Sequence, residues 1–241
     1  GAGIFALAIG GPVFWRSARK LDLGISWQIV KFSWSFTFLG VLSFVINSGD
    51  RLVLNRYFGA AEVGLYSAGY KIAQVLSTFV FSPTIRAWTA KMVDVLRQPD
   101  GVRSLARLTT YALLLYSVLG LIMSVYSREI VSVVMDRRYF ACYTIVPIVI
   151  LAYAGSGLQM FMDSGFYYTK KTYLKMWHGI STALCLVLYF LLIPSYGMMG
   201  AAWATLAAYA FFVALTWYLS NRVLPAPYEF GKMTKIILSA T

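Results

Sequence analysis

Apolar stretches of about twenty residues recur along this chain with short polar interruptions. A helix needs that length to cross a hydrocarbon core about 30 Å thick. The pattern predicts a partial span at about 1–15 and full spans near 27–48, 63–85, 108–127, 140–163, 173–193 and 199–220. Membrane β-strands would alternate strictly over about ten residues, and no segment here does. With 59% hydrophobic and 12% charged residues, the chain carries more apolar surface than a single soluble core could bury. The expected fold is an all-α integral membrane protein: a polytopic bundle of about six full transmembrane helices with partial helices at both ends. Residues 1–26 would hold the end of a preceding helix and a cytoplasmic connection, 27–220 the bundle, and 221–241 a cytoplasmic segment and the start of a further helix. Gly1 stands inside an apolar run without a start Met, and residues 235–241 read as the opening of another span, so truncation is expected at both ends.

The net charge of +12 would suggest a nucleic-acid partner in a soluble protein, but here Lys and Arg sit in short clusters between apolar runs. Membrane topology accounts for them, and no nucleic acid is expected. Alternate connections must lie on opposite sides. One set holds Arg16, Arg19, Lys20 and Lys31, then Arg86, Lys91, Arg97, Arg103 and Arg107, then Lys170, Lys171 and Lys175, and finally Arg222, Lys232 and Lys235. The other holds only Arg51, Arg56, Arg128, Arg137 and Arg138. Positive charge marks the first set as cytoplasmic. Its segment 86–107 mixes Met92, Val93, Val95 and Leu96 with charges, and reads as an amphipathic helix and turn on the membrane surface, facing anionic headgroups. Trp27, Trp88, Tyr139, Tyr143, Tyr167, Tyr168, Trp177 and Tyr218 fall near span ends, as interfacial anchors do.

Within the span beginning near Val63, Ser67, Lys71, Gln74, Thr78 and Ser82 recur at steps of three and four, which puts them on one helical face. Lys71 would lie roughly 12 Å inside the hydrocarbon, where insertion of a lysine costs about 2.5–3.5 kcal/mol. A water-filled cavity explains it most simply. Ser33, Thr37, Gly40, Ser43, Asn47 and Asp50 share a face of the preceding span. Ser156, Gln159 and Asp163 do so in a later one, and His178, Thr182, Cys185 and Tyr189 in the next. Several helices would thus turn a weakly polar side to a common interior. Small polar residues also serve simply to pack helices together, and that alternative stays open for each Ser and Thr. His178, the only histidine, reads as structural.

The candidate cavity residues are Lys71, Ser67, Gln74, Thr78 and Asn47. Cation-coupled drug exporters need intramembrane carboxylates, whereas Asp50 and Asp163 sit near the ends of the expected spans. An interior lysine suits an anionic cargo such as a phosphate or pyrophosphate. Cys142 and Cys185 lack CxxC or Cys/His spacing, so neither a disulfide framework nor a metal site is expected. No cofactor is expected either. No phosphate-binding loop, GxSxG or HExxH occurs, and Asp22, Asp94, Asp100, Glu129 and Asp136 are isolated, so an enzyme is not the expectation.

Two stretches carry a resemblance. Ser48-Gly-Asp-Arg-Leu-Val-Leu-Asn-Arg-Tyr-Phe-Gly59, followed by Glu62-Val-Gly-Leu-Tyr-Ser-Ala-Gly-Tyr-Lys-Ile-Ala73, resembles the start of the second half of Wzx-type flippases, the polysaccharide-biosynthesis transporters of the multidrug/oligosaccharidyl-lipid/polysaccharide superfamily. Ile193-Pro-Ser-Tyr-Gly-Met-Met-Gly-Ala-Ala-Trp-Ala-Thr205 is similar to that family's penultimate loop and following helix. The resemblance implies the C-terminal half of a two-bundle exporter. Such an exporter moves an undecaprenyl-pyrophosphate-linked oligosaccharide across a bacterial inner membrane by alternating access, in concert with polysaccharide polymerase machinery, for O-antigen, capsule or exopolysaccharide. Lys71 is the position that fits the family's basic cavity lining. A drug or small-metabolite exporter of the same superfamily is the alternative. In the residues themselves, Gly59 and Gly64 are expected to bracket a tight outer loop, Asp50 and Arg51 to pair at the lipid interface, and Pro194 to end a helix. Gly197, Gly200, Ala201, Ala204 and Ala208 would give the next helix a small-residue face.

Overall fold

The computed structural model describes residues 23–227, and every regular element among them is helical. In chain order these are α1 (Leu23–Leu76), a π-helical turn (Ser77–Phe81), α2 (Ser82–Leu96), α3 (Gly101–Val125), α4 (Ser127–Val134), a 3-10 segment (Arg137–Thr144), α5 (Val146–Met162), α6 (Ser164–Tyr168), a second 3-10 segment (Thr172–Trp177) and α7 (His178–Val223). By length and composition, Gly101–Val125, Val146–Tyr168 and Thr172–Val223 can each cross a membrane. The expected partial helices at 1–15 and 235–241 lie outside the described residues. The chain divides into two compact units, Gly1–Ser43 and Phe44–Thr241, and the packing described below is that of the second.

The two longest helices are each broken by one glycine with positive φ: Gly59 (φ 79°) in α1 and Gly197 (φ 55°) in α7. Only glycine adopts that conformation without a Cβ penalty. Each break reverses the chain, as two hydrogen bonds demonstrate. Asp50 and Tyr66 would lie about 24 Å apart along a straight helix, yet the Tyr66 hydroxyl donates to the Asp50 carboxylate at 2.6 Å. Tyr189 and Thr205 have the same sequence separation, and their hydroxyls meet at 3.1 Å. α1 and α7 are therefore helical hairpins that turn on single residues, with limbs 23–58 and 60–76, and 178–196 and 198–223. Among the described residues, the stretches long and apolar enough to cross a membrane lie in α3, in α5 with α6, and in α7 with the 3-10 segment before it. Gly59 forms the outer turn alone, while Gly64 is helical and packs against Tyr139. Pro194 lies inside α7, and the reversal comes three residues later.

Helix spacing places the small residues after Gly197 at the tightest contact. Ala201 and Ala204 are fully buried and Ala208 nearly so, and a Cβ on Gly200 would overlap the Leu192 carbonyl across the turn. The core is continuous from Leu54 and Tyr66 through Ile145, Val146 and Val149 to Tyr189 and Ile193. Phe79, Val133, Leu191 and Tyr111 stand exposed on the outside, as side chains in lipid do, because there a bundle's exterior is as apolar as its interior.

One expectation of surface structure is corrected. Residues 86–107 do not form a separate surface helix: α2 continues the limb 60–76 through the π-turn with helical backbone at both junctions. The resulting helix, residues 60–96, is roughly 55 Å long and exceeds a hydrocarbon core of about 30 Å. Its amphipathic character holds, with Trp88, Met92 and Leu96 buried at helical spacing. Trp88 is thus no interfacial anchor: its indole N–H donates to the Ser164 hydroxyl at 2.7 Å and its ring stacks on Phe161. Trp177, Tyr167 and Tyr218 are exposed, as expected.

Candidate functional site

The limb 60–76 has two unlike faces. Tyr66, Ala68, Tyr70, Ile72, Ala73 and Leu76 turn inward and are buried. Lys71 and Gln74 lie on the opposite side and are exposed, Ser67 is half-buried at its edge, and exposed Thr78 continues the row into the π-turn. Four of the five candidate cavity residues therefore share one outward-looking stripe. The fifth, Asn47, is helical, and its side chain lies outside the described residues. Counting from Gly59, Lys71 stands roughly 18 Å along the limb. Among the described residues its ammonium has no ion-pair or hydrogen-bond partner. A stripe of this kind does not face the core of its own bundle, and hydrocarbon would charge heavily for it.

A second polar constellation, on the inward face, was missed by sequence reasoning. Asp50 is 1% exposed and does not meet the lipid interface. Its carboxylate accepts hydrogen bonds from the Tyr66 hydroxyl at 2.6 Å and the Arg51 backbone N–H at 2.7 Å. The Tyr66 and Tyr70 hydroxyls are 3.0 Å apart, Tyr70 donates to Thr205 at 3.4 Å, and Tyr189 shares the Thr205 hydroxyl. The Arg51 guanidinium lies over the Tyr70 ring, 5.1 Å from its centroid. Asp50, Tyr66, Tyr189 and Thr205 come from the four limbs of the two hairpins, so one network fastens all four. These four side chains lie seven to nine residues, or roughly 10–13 Å, from the nearer turn, which places a carboxylate well away from the helix end. The helical periodicity of Tyr66 and Tyr70 was visible in the sequence, but their partner Thr205 is 135 residues away from Tyr70.

At the opposite end, Asp163 caps α5 and pairs with Lys175 at 2.7 Å, and Lys175 also donates to the Tyr167 hydroxyl at 2.9 Å. Gln159, His178 and Thr182 are buried in the same bundle, as expected. His178 meets the Thr216 hydroxyl at 3.2 Å and packs edge-on against Phe212, a structural role. Among the described residues no cluster of His, Cys, Asp and Glu could hold a metal ion.

A family model described as polysaccharide biosynthesis protein matches residues 2–89. No curated protein and no solved structure matches the chain. Over those residues the chain is similar to polysaccharide biosynthesis proteins, and the similarity supports a role in polysaccharide synthesis or export. The matched stretch includes Asp50 and the whole Ser67–Thr78 stripe. Together with the apolar helices, it marks a membrane protein.

Proposed function

We propose that the chain is the second helix bundle of a flippase that moves an undecaprenyl-pyrophosphate-linked oligosaccharide from the cytoplasmic to the periplasmic leaflet of a bacterial inner membrane. The observation that carries the reading is Lys71: an ammonium with no partner among the described residues, on an outward stripe with Ser67, Gln74 and Thr78. That arrangement suits a cavity wall whose ammonium meets a pyrophosphate while hydroxyl and amide groups contact sugar. The protein would act by alternating access without chemical catalysis, supplying glycan to polymerase machinery, with the basic cytoplasmic ends of its helices against anionic headgroups.

The test is glycan display at the cell surface, normalised to membrane protein, with the full-length protein in cells lacking their own flippase. Lys71→Arg should retain part of the activity, and Lys71→Ala and Lys71→Glu should lose it. Normal display per molecule with Lys71→Ala would sink the substrate role.

Asp50 favours a second reading, a cation-coupled exporter of drugs or small metabolites, because such exporters need a carboxylate within the membrane. Drug efflux abolished by Asp50→Asn but indifferent to Lys71→Ala would select it.

A further inference from the structure

Between the two clamped ends of the helix 60–96 lies its irregular turn, Ser77–Phe81. Above the turn, Tyr66 and Tyr70 are tied into the Asp50–Thr205 network. Below it, Trp88 is fixed to Ser164 and Phe161, and Gly101 lies so close to Val95 and Leu96 that no Cβ would fit. A π-turn holds one residue more than an α-turn and has poorer hydrogen-bond geometry, so the ladder is weakest where neither clamp reaches. The packing here is uneven as well. Phe79 is 75% exposed, while Phe81 is buried with its ring 4.1 Å from that of Tyr116. The Tyr116 ring is fully buried, and among the described residues its hydroxyl has no hydrogen-bond acceptor or donor within bonding geometry. The Thr84 hydroxyl, beside that of Tyr116, donates to the Val80 carbonyl at 2.6 Å.

We propose that the helix 60–96 is hinged at Ser77–Phe81, and that the orphaned Tyr116 hydroxyl holds the hinge near balance by penalising the conformation described here. Passing the extra residue out of the turn would rotate the lower limb by about 100° relative to the upper. It would also rearrange the groups around Tyr116, so that its hydroxyl gains a partner such as Thr84. A buried donor without a partner is costly and its satisfaction favourable, so the two arrangements need differ by little. The hinge lies in the same helix as the Lys71 stripe, but it does not depend on the cargo assigned to that stripe.

The experiment uses the full-length protein in lipid nanodiscs with Cys142 and Cys185 replaced by alanine. Spin labels go on Val75 and Val93, exposed positions on either side of the turn, which are about 27 Å apart along a regular helix. Pulsed electron-spin distance measurement should find two populations. Tyr116→Phe removes the orphan, so it should shift their ratio about fivefold or more toward one of them. It should also raise the thermal midpoint of the purified protein. A control pair at Leu108 and Leu121 on α3 should give a single distance in both proteins. A single Val75–Val93 distance in the wild type overturns the proposal, as do two distances whose ratio Tyr116→Phe leaves unchanged, or a Tyr116→Phe protein of lower thermal midpoint. Because none of these readouts involves glycan, the hinge and the flippase reading fail separately.

Discussion

Replacing Tyr66 by Phe tests whether the Asp50 network is an energetic unit. The substitution keeps the ring, which is fully buried, and deletes the donor that faces the carboxylate at 2.6 Å. Asp50, at 1% exposure, then loses its 2.6 Å donor and keeps the Arg51 backbone N–H at 2.7 Å, with the Arg51 charge and Tyr70 nearby. Hydrogen bonds between membrane helices average about 0.6 kcal/mol with a maximum near 1.7, because the unfolded chain in lipid also finds partners. Stranding a charged acceptor costs more, about 1–3 kcal/mol. The second figure governs here, since the lost donor is the short one to a buried carboxylate. For a unit of this size the expected loss lowers the thermal midpoint by about 2–10 °C. Asp50→Val removes the stranded group, so the double variant should lose less than the two single variants together, by about 1 kcal/mol or more. The assay is thermal unfolding of the purified full-length protein, followed by intrinsic fluorescence in one detergent for all four proteins. Additivity within about 0.5 kcal/mol would refute the reasoning, because it would mean that carboxylate and hydroxyl stabilise the fold independently.

Lys170 has φ 58°, and the Lys171 N–H returns to the Phe166 carbonyl at 3.0 Å, the glycine-favouring C-terminal closure of a helix. Lys170→Gly should therefore stabilise the protein by about 1 kcal/mol, seen as a higher thermal midpoint, whereas no change would show that the left-handed residue is unstrained. Single cysteines at Arg97 or Lys170 should react with an impermeant thiol reagent only after the cytoplasmic side is opened, and one at Arg138 should react in intact cells. The reverse pattern would invert the topology. The native thiols should stay silent throughout, because both are buried.

The all-helical membrane character was legible because hydropathy reports the solvent, and lipid imposes its thickness on every helix that crosses it. Lys71, Gln74 and Thr78 were placed on one face by periodicity alone, and Ala201, Ala204 and Ala208 likewise. Periodicity does not say which face meets another helix, so Trp88 looked like an anchor and is a core residue. Asp50 seemed to mark a span end because charge usually does. Its burial depends on Gly59, where the chain reverses within one residue instead of spending a dozen on a loop. The π-turn left no trace in the pattern, because the shift of one residue falls within the ambiguity of a helix that is apolar on most sides.

The single-residue hairpin turns also bear on how the chain enters the bilayer. An unaccompanied carboxylate would resist release into lipid, but Asp50 and Tyr66 flank Gly59 almost symmetrically. Once both limbs of α1 have left the ribosome, the two groups face each other, and neither must wait for a distant helix to be synthesised. Tyr189 and Thr205 repeat the arrangement about Gly197. Each hairpin can therefore be handed to the membrane already closed on its own polar pair, and the Tyr70–Thr205 hydrogen bond joins the two only after the second has been made.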